Sequence, residues 1–579
     1  MALALHLLPT PRTLELTGGD VALPAALSVS GVDAEIIAVT LGARARPADA
    51  AKADVICSLA SDGGDGDEGY RLRIGGTPLV TITARTPTGL RWALTTLAQI
   101  LVEHPERVPA LRIDDAPAFP IRGAMLDISR DRVPTMASLH ELVAKMASWK
   151  LNHLQLYTEH TFAYAGHEAV WHASSPMTPD EMRELDRICA TRGITLTANQ
   201  NCLGHVERWL KIPGYEHLGE LDRVNLLFGA WFHDPNTLIA NDPAGLALVK
   251  DLLDQLLPTC SGGYVNIGCD EPFDLGHGKS KAAIEKDGFH HVYTRHVSTV
   301  ASYVRAHGKR PMYWSDAEHA KPEIAALLPA DIVPLVWGYD GGTEFAKRGR
   351  LFRDRGLEVW VCPGTNNWWS LTSRSQTRRA NLARAAREGA EIGAKGFLNT
   401  EWGDAGHRQQ WPLTLTGIAD GAHSCWSGDR PFDDHALGLH VFGVPAMGAW
   451  MIALGSIESD VGVNFLGDMN ASIFDAADRP DAVAKAQAAD AKLAALDAAL
   501  PACDALIERE LRHAVAMARL SCARSQVRGT MPLDIDKRRA IGTSLAELLR
   551  EHRQLWLKRS RYGGLEQSSD HYKRALNCW

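Results

Sequence analysis

Between residues 120 and 430 the chain alternates short, nearly unbroken apolar runs with longer segments whose apolar residues return every three or four positions. The short runs are "IRGAMLDI" (121–128), "HLQLYTE" (153–159), "ITLTAN" (194–199), "YVNIG" (264–268), "RPMYWSD" (310–316), "IVPLVWGY" (332–339), "LEVWVCPG" (357–364) and "GFLNTEW" (396–402). Runs of this length and content read as strands buried on both faces. Segments such as "TMASLHELVAKMASWK", "TPDEMRELDRICATRG" and "QTRRANLARAAREGAEIG" read as the helices between them. Eight such units predict a (β/α)8 TIM barrel over residues 118–430. A doubly wound sheet is the alternative fold, and the lack of a GxGxxG turn after the first strand speaks against it.

The pattern changes on both sides of the barrel. Residues 1–117 mix strand-like runs with one helical stretch, "GLRWALTTLAQILVEH", and predict a small α/β domain. Its acidic cluster "SDGGDGDEG" lacks the spacing of a calcium loop and reads as a turn. Residues 431–579 are dominated by alanine-rich helical periodicity and predict a helical C-terminal domain. Within it the glycine pair of "LWLKRSRYGGLEQS" (555–568) reads as a helix end, with a return toward the barrel or another subunit as the alternative.

Composition narrows the function classes. Hydrophobic residues make up 45% and charged residues 22%, a globular composition, and the net charge of −8 argues against nucleic acid as a partner. No apolar run reaches membrane-spanning length and the N-terminus lacks a basic signal region, so the expectation is a soluble, cytoplasmic chain, with export and a homo-oligomer left open. Ten scattered cysteines form no CxxC pair, and neither a metal nor a cofactor is expected. "GHGKS" lacks the first glycine of a phosphate loop, and "GTSLAEL" is no nucleophile elbow.

In a barrel of this kind the C-terminal strand ends face the active site. Those ends carry Asp127, Arg130, Glu159, His160, Asn199, Asn201, His205, Asp270, Glu271, Asp316, Asp340, Asn366, Asn367, Glu401 and Asp404. Twelve of the sixteen tryptophans fall between 120 and 430, and Trp314, Trp337, Trp368, Trp369 and Trp402 stand beside strand ends together with Tyr339. Flat aromatic faces next to carboxylates suit a sugar ring. Asp270 and Glu271 are adjacent, so both can enter one pocket only if the strand breaks, and Pro272 is the expected break. A neutral Glu271 in an apolar setting would protonate a glycosidic oxygen while Asp270 stays charged.

"VNIGCDE" and "IRGAMLDISRD" resemble the signatures of glycoside hydrolase family 20, the β-N-acetylhexosaminidases, and the N-terminal stretch resembles the small domain preceding those barrels. The resemblance covers about residues 10–430 and implies substrate-assisted retention, in which the acetamido oxygen attacks C1. It casts Asp270 as the group orienting the acetamido N–H and Glu271 as acid, then base. It places Arg122 on the sugar's 3- and 4-hydroxyls, Trp314, Trp337 and Trp402 around the acetamido group, Asp404 on the 4- or 6-hydroxyl, and Trp368 or Asn367 where the family has a tyrosine. Glu159, His160 and His205 are further substrate-binding candidates.

Two departures stand out: Asn266 occupies the signature's histidine position, and Asn201 in "NQNCLGH" the position of a second aspartate, so no histidine relay to the acid is expected. "QLYTEHTFAYAGHE" and "TEWGDAGH" look closer to the hexosaminidase D-like branch, which favours galactosamine-type sugars. The expected partner is a glycan ending in β-linked N-acetylgalactosamine, or else N-acetylglucosamine. Two other readings use the same residues: a retaining glycosidase with Glu401 as covalent nucleophile, and a barrel that binds carbohydrate without turning it over.

Overall fold

A computed structural model describes residues 5–222, 225–227, 231–316, 321–404, 406–472, 481–529, 532 and 534–577. All eight apolar runs become parallel strands of one closed barrel: Ile121–Asp127, His153–Tyr157, Thr195–Asn199, Tyr264–Asn266, Arg310–Ser315, Val333–Trp337, Trp360–Cys362 and Gly396–Glu401. The eighth pairs with the first from Gly396↔Ile121 to Glu401↔Leu126, which closes the ring. Inside the ring stand Met125, Tyr157, Met312, Trp314, Leu335, Trp360, Leu398 and Trp402. The larger core lies between strands and helices, where residues such as Leu126, Leu154, Val265 and Phe397 face outward.

The N-terminal unit is a seven-stranded mixed sheet bounded by Thr13–Ala22 at one edge and Ala45–Pro47 at the other. The predicted helix forms as Pro87–Glu103, begun by the Thr86 hydroxyl accepting the Gly89 N–H and by proline in its first turn. It lays Leu90, Leu94, Leu97 and Ile100 on the sheet. The helix after the eighth strand, Trp411–Ser427, is buried at every position. A helix apolar enough to be covered all round belongs in the middle of a large molecule, and this one touches the barrel and the C-terminal helices.

The C-terminal region is helical from Asp434 onward among the described residues, and Trp450, Leu454, Phe465, Leu493, Leu511, Val515, Leu545 and Tyr572 form its own core. Arg559, held by Glu510 of a neighbouring C-terminal helix at 2.9 Å, ties the region to the barrel through Glu141 at 2.8 Å. Among the described residues no single helix is long and apolar enough to cross a membrane.

Candidate active site

The fourth strand stops at Asn266, earlier than the apolar run suggests, and the backbone turns at once. Gly268, Cys269 and Glu271 all take positive φ, at 63°, 68° and 43°. Two of the three are not glycine, so this turn is strained and must be held. Asn201 Oδ1 accepts the Cys269 N–H at 3.0 Å, the Tyr293 hydroxyl donates to the Cys269 carbonyl at 3.0 Å, and Asp316 Oδ2 accepts the Glu271 N–H at 2.9 Å. The turn before Pro272, rather than the proline itself, brings both acids to one side.

His205 meets them there. Its Nε2 lies 3.4 Å from Asp270 Oδ2 and 3.3 Å from Glu271 Oε2. Burial works against a charged imidazole, but the Asp270 carboxylate outweighs it and holds the His205 pKa well above the ordinary 6.5. Burial likewise opposes ionisation of Asp270, and His205 together with the Asn201 amide, 2.9 Å away, keeps its pKa below the usual value. Asp270 is therefore an anion fixed from two sides. Glu271, with its side chain 35% exposed, is the member of the pair open to a ligand.

Arg130 occupies the next position around the rim. Its guanidinium lies 2.9 Å from Asp127, 3.2 Å from Glu159 and 3.9 Å from Asp404, and it covers the rings of Tyr157 and Trp402 at 4.8 and 5.3 Å. Burial pushes the Glu159 pKa up to about 8 against the pull of Arg130, so this carboxyl is neutral below that pH. Trp314, Trp337, Tyr339 and Trp402 close the inner pocket beneath Arg130, His205, Asp270, Glu271 and Asp404. Trp402 Nε1 donates to the Tyr339 hydroxyl at 2.7 Å, and Tyr339 stacks on Trp337 at 5.2 Å. The result is an aromatic cup with an anion, an open acid and a cation at its lip.

Residues 4–116 match the model of glycosyl hydrolase family 20, domain 2, and residues 119–383 match that family's catalytic domain. The chain belongs to glycoside hydrolase family 20. It is 26% identical to Hexosaminidase D of Bos taurus over 227 residues, covering 38% of this chain and 63% of that protein, so the match spans less than two thirds of that relative's length. It is 28% identical to a Beta-N-acetylhexosaminidase of Cellulomonas fimi over 375 residues, 58% of this chain and 72% of that one. Among solved structures it resembles the chitobiase of Flavobacterium johnsoniae with a TM-score of 0.62 at 16% identity, over 99% of both chains, a likeness of fold.

Within this family 20 barrel several expected positions move. Arg122, expected on the sugar hydroxyls, lies at the start of the first strand, at the opposite end of the barrel, with no exposed surface. Its guanidinium is spent on Glu68 at 2.6 Å and on the carbonyls of Phe119 and Lys150. Arg130 is the arginine at the pocket. Asn367 is buried, donating to Glu401 at 2.8 Å and to the Leu413 carbonyl at 3.1 Å, and Trp368 packs edge-on behind Tyr339 at 5.0 Å. Tyr339 takes the place in the pocket expected of them. His160 is buried beside the rim without lining it, its pKa pushed down to about 3 by burial.

A histidine does stand beside Glu271, because His205 arrives from the loop after the third strand, but its Nδ1 faces Arg130 at 3.4 Å and not a carboxylate, so it is not the histidine–aspartate relay whose absence the sequence predicts. Asn266 sits lower in the barrel, donating to Gln155 Oε1 at 3.1 Å. Glu401 faces the helix layer with no exposed surface and accepts hydrogen bonds from Asn367, Gln409 and Thr414 at 2.8, 3.0 and 2.7 Å. A carboxylate buried and occupied in this way cannot meet a sugar carbon, which removes the covalent-nucleophile reading.

Away from the pocket, His6, Glu103 and His435 bring potential metal-ligand atoms within 4.8 Å of one another. The two imidazoles are stacked at 3.9 Å and His6 Nδ1 already faces Asp433, so the cluster is organised as a hydrogen-bonded contact.

Proposed function

We propose that the chain is an exo-acting β-N-acetylhexosaminidase that releases a terminal β-linked N-acetylgalactosamine, or failing that N-acetylglucosamine, with retention and through the substrate's own acetamido group. The observation that carries this reading is the convergence of Asp270 and Glu271 on His205 at 3.4 and 3.3 Å above the aromatic cup. A buried anion next to a cup sized for a small planar group is what an acetamido nucleophile needs: Asp270 accepts its N–H and leaves the carbonyl oxygen to attack C1. The cup holds the nucleophile in place, which replaces an encounter by a fixed geometry. Glu271 protonates the departing oxygen and then draws a proton from water. Arg130 and Asp404 stand where the hydroxyls of the terminal ring would lie, and epimer choice at C4 falls to them and to Glu159.

The test is a rate comparison on nitrophenyl β-glycosides of N-acetylgalactosamine, N-acetylglucosamine, galactose and glucose, with Glu271→Gln alongside. Turnover confined to the two acetamido sugars is expected, and the variant should lose about 10²–10⁴-fold in kcat, the usual contribution of a general acid or base. Comparable turnover of galactose would overturn acetamido participation. An unchanged rate in the Glu271 variant would overturn its role as acid.

A further inference from the structure

Asp316 follows the fifth barrel strand, Arg310–Ser315, yet it is not among the residues that close the inner pocket. Its carboxylate is turned to the main chain instead, where Oδ2 accepts the Glu271 N–H at 2.9 Å. The other end of Glu271 is held as well. Its carbonyl accepts the Phe273 N–H at 2.7 Å and the Asn236 side-chain amide at 3.4 Å. Asn236 is itself fixed, its N–H donating to Asp274 Oδ2 at 2.7 Å and its Oδ1 accepting the Thr237 hydroxyl at 2.6 Å.

The peptide between the two acids is pinned along both edges. Its N–H belongs to Asp316, and its oxygen, the Asp270 carbonyl, lies 2.2 Å from where a Cβ on Gly204 would stand. The loop that carries His205 therefore passes directly over this peptide, and Asp316 faces it from the opposite edge.

Glu271 needs such a clamp for two reasons. It has φ 43°, a region that residues with a side chain seldom occupy, and it precedes Pro272, whose ring pushes the residue before it toward extended backbone. Both preferences pull the same way. In extended backbone neighbouring side chains point to opposite faces, so a relaxed Glu271 would swing away from the side on which Asp270 stands. A carboxylate is the strongest acceptor a side chain can offer to a peptide N–H, which suits Asp316 to hold the turn against that pull.

We infer that Asp316 is a positioning residue for acid catalysis: it aims Glu271 through the backbone and touches neither the sugar nor its leaving group. The inference rests on the hexosaminidase reading and adds to it the device that holds the acid in reach. A general acid works only within hydrogen-bond distance of the oxygen it protonates. Misplacing a reacting group by about 1 Å costs on the order of a hundredfold in rate. Asp270 is anchored separately, by Asn201 and His205, so the seat of the acetamido group survives when Asp316 is lost.

The test compares kcat/KM on phenyl and dinitrophenyl β-glycosides of the released N-acetylhexosamine. A phenyl group needs a proton to depart and a dinitrophenyl group needs almost none. The ratio of the two is read within one preparation, so it does not depend on the folded fraction. Asp316→Ala should lose about a hundredfold on the phenyl glycoside, the cost of a misplaced group, and only severalfold on the dinitrophenyl glycoside, with KM nearly unchanged. Asp316→Ser, whose hydroxyl is too short to reach the N–H, should behave alike. Asp316→Asn keeps an oxygen acceptor at the same reach and should stay within about tenfold of wild type on both, since only the charge on the bond is lost. Equal losses on the two glycosides, or a loss confined to KM, would overturn the positioning role. Asparagine as damaging as alanine would overturn the hydrogen bond as its means. A wild type that turns over neither glycoside, or a Glu271→Gln variant with the wild-type ratio, overturns the hexosaminidase reading and this inference with it.

Discussion

Two arginines eight residues apart on the first barrel strand and its loop sit in clusters of similar make-up at opposite ends of the barrel. Arg122 lies over Trp92 and Trp426 at 5.5 and 4.9 Å and pairs with Glu68, while nearby Lys150 pairs with Asp115 at 3.1 Å. Arg130 lies over Tyr157 and Trp402 and faces Asp127, Glu159 and Asp404. The difference is the balance. At the bottom, two cations meet two carboxylates and every group is shut away from water or nearly so. At the top, Arg130 and His205 stand against five acids, Asp127, Glu159, Asp270, Glu271 and Asp404, and the surplus opens into a pocket. A balanced cluster holds domains together, and one with spare acceptors waits for a ligand's donors and protons.

Exchanging each arginine for methionine separates the two ends of the barrel most directly. Arg122→Met leaves Glu68 with the Trp92 indole N–H at 2.7 Å but no cation, and should cost about 3 kcal/mol of stability, the low end of the usual effect of removing one member of a buried pair. Its remaining folded fraction should keep the wild-type KM. Arg130→Met should show the reverse: a loss of at least 10²-fold in kcat/KM, measured on the nitrophenyl glycoside, with a smaller shift in the denaturation midpoint. If both variants lost stability and activity alike, the two ends would not differ in kind.

Glu401 sharpens the same distinction from within the top half. It is one residue from Trp402, yet strand alternation turns it into the helix layer, where three donors hold it. Glu401→Gln turns an amide donor toward some of those donors and should cost about 1–3 kcal/mol of stability. Activity of the folded variant should stay within severalfold of wild type, and added azide should not raise it. A collapse of activity that azide restores would return Glu401 to the role of nucleophile.

Much of this was legible in the sequence, and the failures have physical causes. Eight apolar runs separated by helical periodicity announce a barrel because both faces of each strand are covered. The fourth strand is shorter than its run because Gly268, Cys269 and Glu271 need positive φ, which apolar content does not report. Arg122 and Arg130 are separable by depth along their strand, since only the C-terminal end faces the site. Tyr339 carries a usable signal too, standing two residues after Trp337 and so on the same face. His205 is a candidate from its sequence position and a return of the tail is one of that segment's two readings, but the meeting of His205 with both acids and of the helix Leu565–Asn577 with the pocket has no local signal. Each reaches the pocket through a loop crossing, His205 at φ 55° and the helix through Gly563 and Gly564, and such crossings join parts of the chain that no local periodicity links.

The smallest effect concerns Glu159, the acid that burial keeps neutral up to about pH 8 although Arg130 is 3.2 Å away. Its ordinary pKa is 4.5, so between about 4.5 and 8 the folded chain binds a proton that the unfolded chain has released. Stability therefore falls as pH rises through this window: the contribution is complete below 4.5 and lost on passing 8. The slope from this one group is on the order of 1 kcal/mol per pH unit. Glu159→Gln, which stays neutral at every pH, should flatten the decline in denaturation midpoint between pH 5.5 and pH 8.5 relative to wild type. Equal declines in the two proteins would mean that Glu159 is ionised in the folded state. The rim would then carry one more negative charge against Arg130, and the surplus of acids at the top of the barrel would be a surplus of anions.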